Sequence, residues 1–365
     1  MRSVLIYSSL LTLLFLGLAL KAPHCFNFKK PPTLTQTPPL FTLKTLPPPP
    51  VKSVHSATLS ALSKDYLLAA YFGGSAEGLS DVKIYANLYS IKTQTWQKAF
   101  SLLSAPELSK LANAYVKALG NPVLFTQHKR LYLFVVGVSL GGWATSRIYM
   151  LVSNLTPPFH FSLLQILPLS PFLNISHLVR TSVLPTTDGG FVLPIYHELA
   201  HKFPLLLKFD AQDHSQFLIK PNTLKQQLQP TLAPYKTCAL MALRSYKTQQ
   251  FYTQTCKTPL QWNPPRLSNL HNYDNSIVLF NANHTLYLLY NEPLKNSNNP
   301  RSALYLAKFN IDGYFSPLRI LDSSLKGEVS YPAVLNFNNQ IHVLYTKERK
   351  SIMHLSFNLG YLKQL

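Results

Sequence analysis

Four arginines stand at comparable places along the chain. Arg147 follows Gly141-Gly142-Trp143, Arg180 heads an apolar run, Arg244 ends another, and Arg301 precedes the segment SALYLAKF. Each falls near the end of a strand-like segment, where side chains from different segments can converge. Guanidinium groups gathered in this way suit a carboxylate, because each can donate two parallel hydrogen bonds to it. With 14 acidic residues against 34 Lys and Arg, many cations must find partners other than Asp or Glu. Two short catalytic motifs also occur. GVSLG, ending at Gly141, has the form of a nucleophile elbow, but Ser139 would need a helix directly after it. The residues from Ser146, SRIYMLV, are strand-like instead. HELAH, from His197 to His201, has zinc-ligand spacing, which works only on one helical face. Pro194 and Pro204 bracket it, with strand-like sequence on both sides. Neither motif is expected to be catalytic, and nothing in the sequence calls for a metal or a cofactor. In LPIYHE, Tyr196 and Glu198 alternate onto one face and His197 onto the other.

The elements that must position these residues form a repeat. Six times an apolar strand, a short polar turn and a second apolar strand recur, starting at Ser56, Asn121, Val179, Gln229, Asn272 and Tyr331. The starts lie 43 to 65 residues apart, enough for a four-stranded blade with its loops. A period of this size predicts an all-β, six-bladed β-propeller. The 20 Tyr and 21 Phe agree with strands, whose pleated surfaces suit aromatic side chains. Ligands of propellers sit at the central channel, near the starts of the inner strands.

The flanking sequence suggests a location. After Arg2, 18 residues from Ser3 to Leu20 carry no charge, a length between a secretory signal and a minimal membrane span. Residues 1–22 are expected to be a signal peptide or membrane anchor. Residues 23–50, ending in four prolines, are expected to be a stiff linker, and residues 51–365 the propeller. The rest of the chain would then be exported, to the periplasm or the periplasmic face of the inner membrane. Export permits a disulfide between Cys238 and Cys256; two buried free thiols are the other reading, and Cys25 is left over in both. The net charge of +20 is scattered, without the concentrated stripe typical of nucleic-acid binding; a solvated basic surface is the first reading, and attraction to an anionic membrane surface or glycolipid the second.

Longer segments carry a resemblance. HSATLSALSKDYLLAAYFGGSAEGLSDVKIY from His55, GGWATSRIY from Gly141, PLSPFLNISHLVRT from Pro168, LPIYHEL from Leu193, LQPTLAPYKTCALMALR from Leu228 and GEVSYPAVLNFNNQIHVLYT from Gly327 together resemble the sialidase superfamily. They are most similar to its predicted-neuraminidase branch, which includes Kdo (3-deoxy-manno-octulosonic acid) hydrolases. YSIKTQTW, ending at Trp96, and KFNIDGYF, ending at Phe315, look like degenerate Asp-box turns.

The resemblance implies a six-bladed propeller that removes a terminal 2-keto-3-deoxy sugar acid. In that superfamily three arginines hold the sugar carboxylate, an aspartic acid protonates the leaving oxygen, and a tyrosine backed by a glutamate attacks. Carried over, Arg244 and Arg301 stand at the second and third arginine positions, and His55 occupies the first. The acid loop is represented by Glu77 and Asp81, with Ala76 where the branch usually has arginine. Gln229 stands at the glutamate position. The tyrosine position aligns with Val329, with Glu328 before it and Tyr331 two residues later. Tyr331 with Glu198, or Glu328 or Glu198 directly, would then supply the attack, and Arg147 and Arg180 could complete the carboxylate site. The expected substrates are lipopolysaccharide, with Kdo preferred, or a sialylated glycan. The branch also implies a membrane-protein partner subunit. A non-catalytic carbohydrate-binding propeller is the reading left if catalysis has been lost.

Overall fold

A computed structural model describes residues 26–365. The signal or anchor expected over residues 1–22, and Cys25, lie outside the described residues. Six antiparallel sheets are arranged around a central channel. Blade 1 runs from its inner strand Ser53–Ala61 through Tyr66–Gly74 and Lys83–Ser90 to a split outer strand, Thr95–Trp96 and Phe100–Ser104. The inner strands of blades 2 to 6 are Ala118–Gln127, the interrupted pair His177–Val179 and Leu184–Pro185, Gln227–Tyr235, Val278–Ala282 and Val329–Phe337.

The apolar residues fall into six clusters, one for each contact between neighbouring blades. Strand alternation explains this division. In Arg130–Val138, Phe134 and Val136 pack toward blade 3, whereas Leu133 and Val135 pack toward blade 1. Both faces of a middle strand are therefore buried, which is why LYLFVV reads as an unbroken apolar run.

The described part of the expected stiff linker, residues 26–50, is packed into the propeller instead of standing apart from it. Phe41–Thr45 pairs with Ser351–Phe357 and is the outer strand of blade 6. Phe26, Phe28, Leu34 and Leu46 are buried, and Phe28 bridges to Thr186. The prolines flank this strand rather than interrupt it, and an edge strand needs ladder hydrogen bonds on one side only. The sequence boundary at residue 51 thus moves back to include the described part of the amino-terminal segment.

Cys238 and Cys256 form a disulfide between the second and third strands of blade 4. The turn Asn310–Tyr314 closes with Asp312 Oδ1 accepting from the Tyr314 amide, as expected of an Asp-box relic. A related turn that the sequence reading passed over lies at Asp210–His214, where Asp210 Oδ1 accepts from the amides of Gln212 and His214. Neither short motif lies on or before an α-helix, as expected. Arg130–Val138 is followed by a four-residue 3-10 turn, Gly142–Thr145, and His197 ends a strand whose partner begins at Phe203.

Candidate active site

The inner strands carry a recurring irregularity where they begin. Pairing slips between His55 and Thr58, Leu119 and Pro122, Leu228 and Thr231, and Ser330 and Ala333. Each slip is a bulge of two residues against one, which re-aims a side chain at a sheet end. In three of them the first bulged residue has a positive φ: Ser56 at 59°, Gln229 at 43° and Tyr331 at 57°. Non-glycine residues in this region store about 1–3 kcal/mol of strain, and such strain gathers at functional sites. The bulges turn Ser56, Gln229 and Tyr331 toward the channel.

Tyr331 is the centre of what gathers there. The guanidinium carbons of Arg180, Arg301 and Arg244 lie 5.1, 5.7 and 5.8 Å from its ring centroid. Arg244 Nη1 donates to the Tyr331 hydroxyl at 3.0 Å, and its Nε donates to Asp274 Oδ1 at 2.8 Å. Burial works against the charge of Arg244, but Tyr331 and Asp274 outweigh it and hold the guanidinium protonated. The His55 ring stands 4.2 Å from the Tyr331 ring. Tyr331, rather than Val329, thus occupies the arginine cluster; Val329 is buried between blades 5 and 6.

Glu328 is held at the rim by two arginines. Arg301 Nη1 donates to its Oε2 at 3.1 Å, and Arg349 Nε donates to its Oε1 at 2.8 Å. Arg349 also donates from Nη1 to Glu77 Oε2 at 2.8 Å, tying the acid loop to the last blade. The sequence reading missed Arg349. It comes from the turn after the second strand of blade 6 and reaches the start of blade 1, where its carbonyl accepts from the Val54 amide. It therefore brings a guanidinium beside His55, whose position lacks one. Asp81 Oδ2 accepts from the Ser75 amide at 2.8 Å, and bonding to Ser75 holds its carboxyl below the usual range.

Several expected site residues have other tasks. Arg180 is not an open ligand for a carboxylate. From blade 3 it crosses the channel and donates to the carbonyls of Ala57, Tyr331 and Pro332, joining blades 1, 3 and 6. Burial pushes its pKa down to about 10. His55 is not a cation: burial, followed by Arg349, Arg301, Arg180 and Arg244, holds its pKa well below the ordinary value. Arg147 is exposed at the start of its strand and makes none of the cluster's contacts. Glu328 neutralises arginines and is not positioned as a free attacking group. Glu198 lies just beyond the strand, 3.7 Å from Lys202 Nζ. Tyr196 faces the channel, where Asn121 Nδ2 and Gln229 Nε2 each lie 3.5 Å from its hydroxyl. Burial is the main cause of its raised pKa, and the Glu198 charge adds to it.

Both nitrogens of His55, Nε of Arg180, Oε1 of Gln229 and Oγ of Ser330 are buried without a hydrogen-bond partner among the described residues. No group of three or more His, Cys, Asp or Glu suited to a metal occurs among the described residues.

No curated protein matches the chain in sequence. Among solved structures it is similar to Trypanosoma rangeli sialidase, at TM-score 0.66 and 11% identity, covering 92% of this chain. It spans 59% of that sialidase's length. It is also similar to Penicillium chrysogenum α-L-arabinanase complexed with arabinobiose, at TM-score 0.62 and 10% identity, covering 89% of this chain and 98% of that one. A Fusarium graminearum α-L-arabinofuranosidase gives TM-score 0.61 at 10% identity, over 86% and 96% of the two chains. At such identities these likenesses show the fold, a sialidase-like propeller. In sequence, residues 65–343 match the BNR repeat-like domain, and because that match takes in most of the chain, the protein belongs to this family.

Proposed function

We propose that this protein is an exo-glycosidase that removes a terminal 2-keto-3-deoxy sugar acid, Kdo by preference, from a lipopolysaccharide core. The observation that carries the reading is Tyr331 ringed by Arg244, Arg301 and Arg180 at one channel mouth. Arg244, whose Nη2 makes no hydrogen bond among the described residues, and Arg301, part-exposed beyond its bonds to Asn275, Glu328 and the Asp274 carbonyl, hold the sugar carboxylate, and Arg349 supplies the third guanidinium that the position of His55 lacks. This brings the anomeric carbon over the Tyr331 hydroxyl. The hydroxyl oxygen bonds to that carbon as the glycosidic bond breaks. Asp81 or Glu77, protonated once the bound glycan has displaced its contact with Ser75 or Arg349, gives a proton to the leaving oxygen, and the tyrosine proton passes to water at the mouth. Water then cleaves the tyrosyl sugar and restores the hydroxyl. Gln229 cannot act as a base, which sets this site apart from a tyrosine–glutamate pair.

A site outside the cytoplasm agrees with the disulfide, since such bonds persist in oxidising compartments. Release of sialic acid is the second reading, because its anomeric carboxylate would meet the same arginines. The deciding experiment is mass spectrometry of Kdo-bearing lipid A core and of sialyllactose, each incubated with membranes containing the protein. Loss of one Kdo mass, absent with Tyr331→Phe, supports the proposal, and sialic acid release alone replaces it with the second reading. If neither substrate is cleaved, even with a candidate membrane-protein partner present, the channel is a carbohydrate-binding site without turnover.

A further inference from the structure

The loops around the site mouth expose large apolar side chains. Connections from second to third strands, and from one blade's outer strand to the next blade's inner strand, all lie at the end where the inner strands begin. Tyr331 and Arg244 stand at this end. Leu79, Leu140 and Leu199 stand out of the second-to-third-strand loops of blades 1, 2 and 3. Phe172 and Leu173 stand out of the connection between blades 2 and 3, and Leu325 out of that between blades 5 and 6. Phe172 is 95% exposed, Leu325 77%, Leu173 70% and Leu140 68%. None belongs to an interblade core. Single exposed apolar residues are ordinary, but a ring of them around a candidate site is a docking signal.

The charges at this end point to the occupant. Lys83, Arg147, Lys247 and Lys326 are exposed and enter no ion pair among the described residues. Most carboxylates nearby are already paired, Glu328 with Arg301 and Arg349, Asp274 with Arg244, Asp322 with Lys347, Glu77 with Arg349 and Glu198 with Lys202, while Asp81 is exposed and enters no ion pair among the described residues. The outward field is therefore positive, in keeping with the net charge of +20. A second copy would set like charge against like. An anionic bilayer satisfies both features, taking apolar tips at the headgroup boundary and cations among the headgroups.

We infer that this face docks on an anionic lipid surface, so that the channel mouth opens directly onto it. Docking is a property of the loops and does not depend on the proposed reaction. The described chain begins at the other end of the channel, where Phe28 meets Thr186. Strands of seven to nine residues separate the two ends by about 25 Å. One flat bilayer cannot touch both.

The test uses the full chain with Cys25→Ser and a bimane label on either Leu173→Cys or Ile311→Cys, the latter in a turn at the opposite end. Vesicles are phosphatidylcholine alone or mixed with phosphatidylglycerol, with a nitroxide quencher in the lipid. Docking predicts quenching at position 173 and not at 311, only on anionic vesicles, and reversal by salt. Replacing Phe172, Leu173 and Leu325 by serine is expected to weaken vesicle binding at least about tenfold. The melting temperature and hydrolysis of a small soluble glycoside should not change. Quenching at 311 instead of 173, equal binding to neutral vesicles, or association with a membrane protein but no vesicle overturns the inference.

Discussion

Replacing Arg244 separates a carboxylate clamp from a structural cation. In the fold this guanidinium is buried, with Nε on Asp274 and Nη1 on the Tyr331 hydroxyl, while Nη2 makes no hydrogen bond among the described residues. Hydrogen bonds to charged groups contribute about 1.5–3 kcal/mol each. Losing two of them to a substrate carboxylate in Arg244→Ala should lower kcat/KM by about 10²–10⁴-fold. The effect on folding should be far smaller. The Asp274 side chain is 38% exposed, so once released it is hydrated, and the pair contributes about 1 kcal/mol or less. For a fold of this size that corresponds to a melting-temperature change of about 1–2 °C. The assay is hydrolysis of a fluorogenic Kdo glycoside by both proteins, repeated with the glycoside's carboxylate converted to its amide. If Arg244 binds the carboxylate, the amide is a poor substrate for the native protein and loses little more with the variant. Full activity in Arg244→Ala, or equal loss on both substrates, refutes the assignment.

Three further outcomes follow from the geometry. Arg349→Ala should lower kcat/KM at least about tenfold, through loss of a charged hydrogen bond and release of the Glu77 loop, whereas Arg147→Ala should leave it unchanged; kinetics of the two variants side by side decide. Acid should destabilise the fold through buried histidines. Burial holds His177 and His342 down to about 4, so between about pH 6.5 and 4 the unfolded chain binds more protons than the folded one. Stability is then complete above pH 6.5 and is lost as pH falls through that window, by about 2 kcal/mol for each histidine at pH 5; melting curves from pH 7 to 5 that do not move contradict this. Reducing the disulfide, or Cys238→Ser with Cys256→Ser, should cost about 3 kcal/mol for an 18-residue separation, measured by denaturant unfolding.

The blades were legible because each middle strand is apolar on both faces, and the starts of the copies at Ser56, Gln229 and Tyr331 coincide with the bulged residues of the inner strands. What was hidden depends on the closed ring. Alignment pointed to Val329, yet the repeated pairs Gln229-Pro230 and Tyr331-Pro332 carried a signal for Tyr331. Both mark the same left-handed bulge. Arg349 gave no signal, since it sits in a charged turn and reaches the site only where blade 6 meets blade 1. Arg180 was found for the right reason, an arginine at a strand end, but three main-chain carbonyls across the channel already engage its guanidinium. The amino-terminal strand was obscured by its own surroundings, because Phe41–Thr45 is a proline-free edge set among prolines.

That strand has a consequence for biosynthesis. Phe41–Thr45 is among the first described segments to be made, but its partner Ser351–Phe357 is among the last. The ring cannot close while the carboxyl terminus is still being synthesised, so early blades must wait with apolar flanks exposed. Domains that depend on distant pairings fold slowly and are prone to aggregate while they wait. Under the proposed location outside the cytoplasm the delay is useful, since a polypeptide unable to complete its fold before it is finished remains open enough to be threaded across a membrane.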